Sequence, residues 1–384
     1  MQKLEYLGRG IFFFLVFIMA NSSYNALISN GMGLALLYVC INLWHNKNFE
    51  LFKFSKLILI GWLIFYGSIL ASSIVNNDKG SIDIALRYMY WSAPFLLCYY
   101  LYRTHPKEYI VQYALIASTL FLGVYALYEK YIIAERIRIE GFYGAPNTYA
   151  TMLVLVLPFL IAFLFKNVSA KRVFVSILLF ISIILSLYAV YLTSSRGAIL
   201  ALGIGGVLTM FIVSIRHRSY IPIIFIVGLM CVLYYLYIGL PTGTNRSYDM
   251  ERTYFWISSY HMWLDHPWWG IGLNNWTNLY YGQYMLPVAK ELNVPHAHNM
   301  FVWFFSTTGL IGGLGFVIFT LVLLGYLVRS LWKQPNNLFI IPMFWAFWVL
   351  YLQGVVDAGL ILKPVSRFFF TLLGLTMASL NKKI

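Results

Sequence analysis

Charge is what this sequence has least of. Only 10% of its 384 residues are Asp, Glu, Lys or Arg, against about 25% in an ordinary soluble domain, while 61% are hydrophobic. That balance argues against a soluble enzyme and points to a polytopic membrane protein. Cysteine is almost missing too. Cys40, Cys98 and Cys231 each lie inside an apolar run with no CxxC pair, so neither a disulfide framework nor a thiolate metal centre is expected. There is no G-x-S-x-G, no P-loop and no D-x-D. A nucleophile elbow, ATP binding and a soluble nucleotide-sugar donor are therefore not indicated. The apolar runs are continuous rather than alternating, which excludes a β-barrel.

What is present is a series of apolar runs. With about 20 residues needed per crossing, the expected fold is an all-α polytopic membrane protein of about twelve transmembrane helices. They fall near 10–27, 29–44, 56–75, 84–102, 108–133, 148–165, 173–193, 197–215, 220–240, 298–328, 338–356 and 364–380. Residues 1–240 would hold the first nine, 241–297 one large outer loop, and 298–384 the last three, within one integral membrane domain. Lys3 and Arg9 precede an apolar run from Ile11 that resembles a signal peptide, but no A-x-A site follows, so this run is expected to remain as the first helix. The outer loop is rich in Trp, Tyr, Gly and Asn and is expected to carry short interfacial helices, one of them near 251–265.

The few charges orient the chain. Taking the N-terminus as cytoplasmic, alternate loops and termini hold 16 bases and three acids, and the other side holds 11 bases and 10 acids. The positive-inside rule then places both termini in the cytoplasm and 241–297 outside, in the periplasm of a Gram-negative cell. The net charge of +14 reads as topology and attraction to anionic membrane lipids rather than as a nucleic-acid surface.

Some bases lie on the outer side, where topology does not require them. Arg136 and Arg138 sit in Glu135-Arg136-Ile137-Arg138-Ile139-Glu140-Gly141, Arg196 in the tight turn Thr193-Ser194-Ser195-Arg196-Gly197, and Arg246 and Arg252 in the large loop. Guanidinium forks at headgroup depth suit phosphate oxygens. The plainer reading is a snorkelling arginine or a local ion pair, and Glu135 and Glu140 leave that open for Arg136. Four of the seven histidines lie between 261 and 298. His261 and His266 read as structural. Pro295-His296-Ala297-His298-Asn299 can be an interfacial histidine pair, a metal pair lacking a third ligand at convincing spacing, or the seat of a general base at His298.

Four stretches carry a resemblance. They are Arg138-Ile139-Glu140-Gly141-Phe142-Tyr143-Gly144-Ala145-Pro146-Asn147, then Ser195-Arg196-Gly197-Ala198, then Arg252 with Trp256 and His266-Pro267-Trp268-Trp269-Gly270-Ile271-Gly272. The last is His298-Asn299-Met300-Phe301 with Thr308-Gly309-Leu310-Ile311-Gly312. In this order they resemble the O-antigen ligase/polymerase superfamily of bacterial inner-membrane glycosyltransferases. The resemblance implies transfer of a glycan from undecaprenyl pyrophosphate, with no metal, nucleotide or other cofactor. Arg196 and Arg252 would contact the pyrophosphate, with Arg138 as a third. His298 would stand near the acceptor hydroxyl, with Arg136, Arg246, His296 and Asn299 as secondary positions. The set is most similar to ligases, whose acceptor is lipid A–core. A polymerase, extending lipid-linked repeat units, shares the donor chemistry, and a protein O-oligosaccharyltransferase is a third reading. A polysaccharide or lipid transporter is the reading from another class. It would line its spans with ionisable residues, and these spans are nearly free of them.

Overall fold

The computed structural model describes residues 2–21, 24–46, 54–133, 138–220, 224, 227–231, 234, 246–291 and 294–381, with the backbone alone at 2–3 and 246–249. Among the described residues every regular element is helical. The helices are α1 (Gln2–Asn21), α2 (Asn25–Asn46), α3 (Lys56–Val75), α4 (Lys79–Trp91), α5 (Pro94–Thr104), α6 (Glu108–Tyr128), α7 (Pro146–Ser169), α8 (Val173–Leu192), α9 (Arg196–His217), α10 (Arg246–Asp265), α11 (Met300–Lys333), α12 (Ile340–Val356) and α13 (Lys363–Leu380). Eight of these, α1 to α3, α6 to α9 and α11, are long and apolar enough to cross a membrane. The expected count of twelve is reached only in part.

Three departures from the expected spans have physical causes. The run expected at 84–102 is two helices, broken at Ser92–Ala93. Pro94 cannot donate a helical hydrogen bond and starts α5 instead, and Ser92 and Ala93 close the end of α4 with bonds to Met89 and Tyr90. The run at 338–356 forms a helix of 17 residues, shorter than a full crossing. The run at 364–380 forms α13, whose residues from Val365 to Leu380 are all buried. It packs on α5 and also touches α1, α7 and α12, so it is a helix of the protein interior rather than of the lipid face. Its Thr371 and Thr376 hydroxyls bond back to the carbonyls of Arg367 and Leu372, which removes their polar cost. The run at 220–240 falls largely outside the described residues.

The longest helix, α11, lies along α3, and α12 lies along α9. Within α11 the backbone leaves helical geometry at Gly309 (φ 66°, ψ −165°). The freed groups are taken up by the turn after α10. Leu310 and Ile311 donate to the carbonyls of Pro267 and Trp268, and Ile271 and Gly272 donate to those of Ser306 and Thr307, at 2.8–3.3 Å. Non-helical backbone inside a membrane protein is tolerated where protein satisfies it, and here a second irregular segment does so. A Cβ on Gly270 would meet the backbone of Thr307, Thr308 and Gly309, and one on Gly309 would meet Trp268 and Gly270. The two stretches Trp268-Trp269-Gly270-Ile271-Gly272 and Thr308-Gly309-Leu310 thus form one joint, which fixes the end of α10 against α11.

Candidate active site

The site lies where four chain segments meet. The first is the segment after α6. Arg138 donates from Nε to the carbonyl of Thr193 at 2.8 Å and from Nη2 to Oδ1 of Asn147 at 3.0 Å. That same Oδ1 accepts from the hydroxyl of Ser195 at 3.0 Å, and Ile139 donates to the carbonyl of Leu192. The loop is held from below by Glu129, whose carboxylate accepts from the amides of Glu140 and Gly141 at 2.8 Å each. Asn147 sits just inside α7, after Pro146 at the helix start, so the position of Arg138 is set by rigid helix ends on both sides.

The second segment is the turn between α8 and α9. Ser194 there has a positive φ of 53°, which lets the chain reverse within three residues and puts Arg196 at the first position of α9. A Cβ on Gly197 would stand 2.9 Å from Val356 and 3.1 Å from Oε1 of Gln353, so this turn packs directly on the end of α12. The third is α10. Arg252 and Phe255 are three residues apart and share a face. The Phe255 ring stacks on the His298 imidazole, 5.8 Å between centroids, and packs edge-on against Trp276 and Tyr280. Glu251 accepts from the amides of Lys290 and Glu291, tying the start of α10 to the segment leading into the histidines.

The fourth segment carries those histidines. His298 does not start the helix as expected; it lies two residues before Met300, with a φ of 49°. Asn299 caps α11, its side-chain oxygen accepting from Phe301 and Val302 at 2.9 and 3.1 Å. The Asn299 carboxamide oxygen is thereby committed to the fold. Met300 then seats in a notch made by Gly354 and Gly359, where a Cβ would come within 2.5 and 2.7 Å of its sulfur. That notch brackets Asp357. Nδ1 of His298 lies 3.4 Å from Oδ1 of Asp357, an ion-pair distance when the imidazole is protonated. Nδ1 has no hydrogen-bond partner among the described residues, and the ring is partly exposed.

Asp357 is the residue that sequence reasoning missed. It is 4% exposed and stands directly after α12, at the end of an apolar run. Burial alone would raise its carboxyl. Contact with His298, the nearby charge of His298 and His296, and the Ala358 amide outweigh this and hold it below the ordinary carboxylate value. A signal was present: Asp357 is the single side-chain carboxylate beyond Glu291, and an acid set against a long apolar run is a functional hypothesis by default.

His296 packs against His298, with ring centroids 4.4 Å apart, and its Nδ1 accepts from the His298 amide at 3.2 Å. Burial, then the charge of His298, pushes His296 down to about 4, so near neutral pH it is an uncharged acceptor. Ligand atoms of His296, His298 and Asp357 lie within 4.8 Å of one another. This supplies the third group that spacing did not reveal, and three donors of this kind can hold zinc. Asp357 and then Arg252 act on His296, and Arg252, Asp357 and Arg196 act on Arg138, so the carboxylate and the guanidinium groups share one neighbourhood.

The structure therefore brings Arg138, Arg196, Arg252, His296, His298 and Asp357 together. Burial first, then the charges of Arg252 and Arg196, pull the Arg138 guanidinium below its usual value, with Asp357 acting the other way. Arg136 lies outside the described residues, and Arg246 opens α10 with its side chain outside them. His261 and His266 are exposed on and just after α10, and neither joins the cluster.

No curated protein matches this chain. Among protein families, the O-antigen ligase family model matches residues 181–317. The matched stretch contains Arg196, Arg252, His298 and both glycines of the α10–α11 joint, and it leaves Arg138, Asn147 and Asp357 outside. The match over residues 181–317 supports the resemblance of this chain to the O-antigen ligase/polymerase superfamily.

Proposed function

We propose that this protein is an O-antigen ligase of the bacterial inner membrane. It transfers a glycan from undecaprenyl pyrophosphate to a hydroxyl of lipid A–core, using neither metal nor nucleotide. Residues 241–297 form its periplasmic loop, and both termini face the cytoplasm. The observation that carries the reading is a cluster of three guanidinium groups beside a histidine–carboxylate pair. That combination suits a reaction in which negative charge builds on a departing pyrophosphate while an acceptor hydroxyl loses its proton.

Arg138, Arg196 and Arg252 hold the pyrophosphate and stabilise its charge as the glycosidic bond breaks. The bond between sugar and pyrophosphate already has a good leaving group, so no ATP is required. His298, with Nδ1 facing Asp357, has Nε2 left to accept the proton of the attacking hydroxyl. Asp357 fixes the tautomer and stabilises the imidazolium that forms, the role of an orienting carboxylate beside a general base. His296 supports the backbone of His298. A single displacement of this kind inverts the anomeric configuration; a retained configuration in the product would overturn direct attack.

The test is a gel of lipopolysaccharide and of lipid-linked glycan from a deletion strain, complemented with wild type or with His298→Ala. A ligase leaves lipid A–core bare while long polymer accumulates on undecaprenyl pyrophosphate. Single repeat units still attached to core, with long chains gone, would identify a polymerase instead.

A further inference from the structure

Arg367 is 2% exposed, on the second turn of α13, and its Nε and Nη1 are buried without a hydrogen-bond partner. No carboxylate pairs with it among the described residues. Its one close neighbour of complementary character is the face of Tyr90 on α4, 5.4 Å from the guanidinium carbon. Lys363, one turn earlier on the same face of α13, is half-buried and lies within the field of both Arg367 and Arg87. Arg87 is exposed and paired with Asp83 at 2.5 Å. Three cations thus share one acid. A buried guanidinium with open donors is costly to leave uncompensated, and none of these groups belongs to the arginine cluster of the active site.

An apolar groove of about 290 Å³ lies on the same helices. It is lined by Ile58, Leu59 and Trp62 of α3, Met89 of α4, and Phe370 and Leu373 of α13. Lys363, Arg367, Phe370 and Leu373 follow one another at spacings of four, three and three, which is one stripe of a helix. Met89 of the groove is next to Tyr90 of the cationic cluster. On that stripe Arg367 is one turn from Phe370, so the cations and the groove follow one another along α13.

We propose that this is a binding site for an anionic membrane lipid, with its phosphate on Arg367 and Lys363 and one chain in the groove. The guanidinium supplies the donors that a phosphate diester accepts, and basic pockets between membrane helices are suited to lipid headgroups. The occupant carries a net negative charge, since a zwitterionic headgroup does not neutralise the excess of cations. Five residues separate Asp357 from Lys363, among them the turn Gly359–Ile361, whose Gly359 forms part of the notch for Met300.

The test uses the purified full chain in detergent, offered equal amounts of phosphatidylglycerol and phosphatidylcholine with identical chains, and reads retained lipid by native mass spectrometry. Wild type is expected to retain phosphatidylglycerol in preference. Arg367→Gln and Lys363→Ala are each expected to lose about tenfold in affinity, and Leu59→Trp, which fills the groove, is expected to lose retention as well. Should Arg367→Gln fail to fold, Lys363→Ala decides alone. Equal retention by Lys363→Ala and wild type, or no preference between the two lipids, overturns the proposal. So does stabilisation by inorganic phosphate as large as that by phosphatidylglycerol and unaffected by Leu59→Trp, which would identify a free-anion site. None of these readouts depends on glycan transfer, so they stand or fall separately from the proposed function.

Discussion

Gly270 and Gly309 touch through their backbones, and both have a positive φ, 67° and 66°. Neither position has room for a Cβ. Gly270→Ala and Gly309→Ala are each expected to destabilise the protein by about 1–3 kcal/mol from backbone strain, with further loss from overlap. Because both changes press on the same contact, the double variant should cost less than the sum. Thermal unfolding of the purified variants measures this; additive costs would show that the two glycines act independently.

The His298–Asp357 pair predicts a graded loss of transfer. His298→Ala removes the proton acceptor and is expected to lower the rate by about 10²–10⁴. Asp357→Asn keeps the size of the side chain but not its charge, and should cost about a hundredfold through misorientation of the ring. Transfer rates with purified protein and a lipid-linked donor give the comparison. An Asp357→Asn variant as fast as wild type would remove Asp357 from the mechanism.

Arg138 acts through a fork, since two of its nitrogens are spent on Thr193 and Asn147. Lysine has the charge but cannot make both bonds while facing a phosphate. Arg138→Lys is therefore expected to lose about 10²–10³ in rate, nearly as much as Arg138→Ala. Asn147→Ala, which leaves every arginine in place, should show a smaller loss of the same kind. If Arg138→Lys is fully active, the fork has no role.

His296 makes stability depend on pH. Its folded value near 4 lies below the ordinary 6.5, so the unfolded chain takes up a proton first as pH falls. The stability it contributes is complete above about 6.5 and is lost as pH falls from there toward 4. His296→Gln has no such proton to take up. Its Tm should fall less than that of wild type between pH 7 and pH 5, and parallel curves would show that His296 is not the group responsible.

Arg138, Arg196 and Arg252 were legible in the sequence because they stand out from the expected positive-inside pattern, and the structure gathers all three. Asp357 was not found because the eye looks for partners near a histidine in sequence, and this one arrives from the end of another helix. The helix breaks were half visible. Pro94 marks the end of α4, but nothing local says that Gly309 opens α11, because the energy that holds it open comes from Pro267 to Gly272. Similarly, α13 reads as a crossing from its composition, and only tertiary packing reveals that its side chains are buried against other helices.

The three guanidinium groups that converge from separate loops also bear on the kinetics of turnover. Arg252 and Arg196 act on Arg138 as like charges, and an anion relieves that repulsion whether or not a sugar is still attached to it. Once the glycan has left, the lipid pyrophosphate keeps its charge and much of its hold. A cluster that, in the proposed reaction, draws in the donor is equally suited to retain the spent carrier. In the proposed reaction, departure of that carrier rather than cleavage of the bond would set the pace, and added undecaprenyl pyrophosphate would act as a competitive brake.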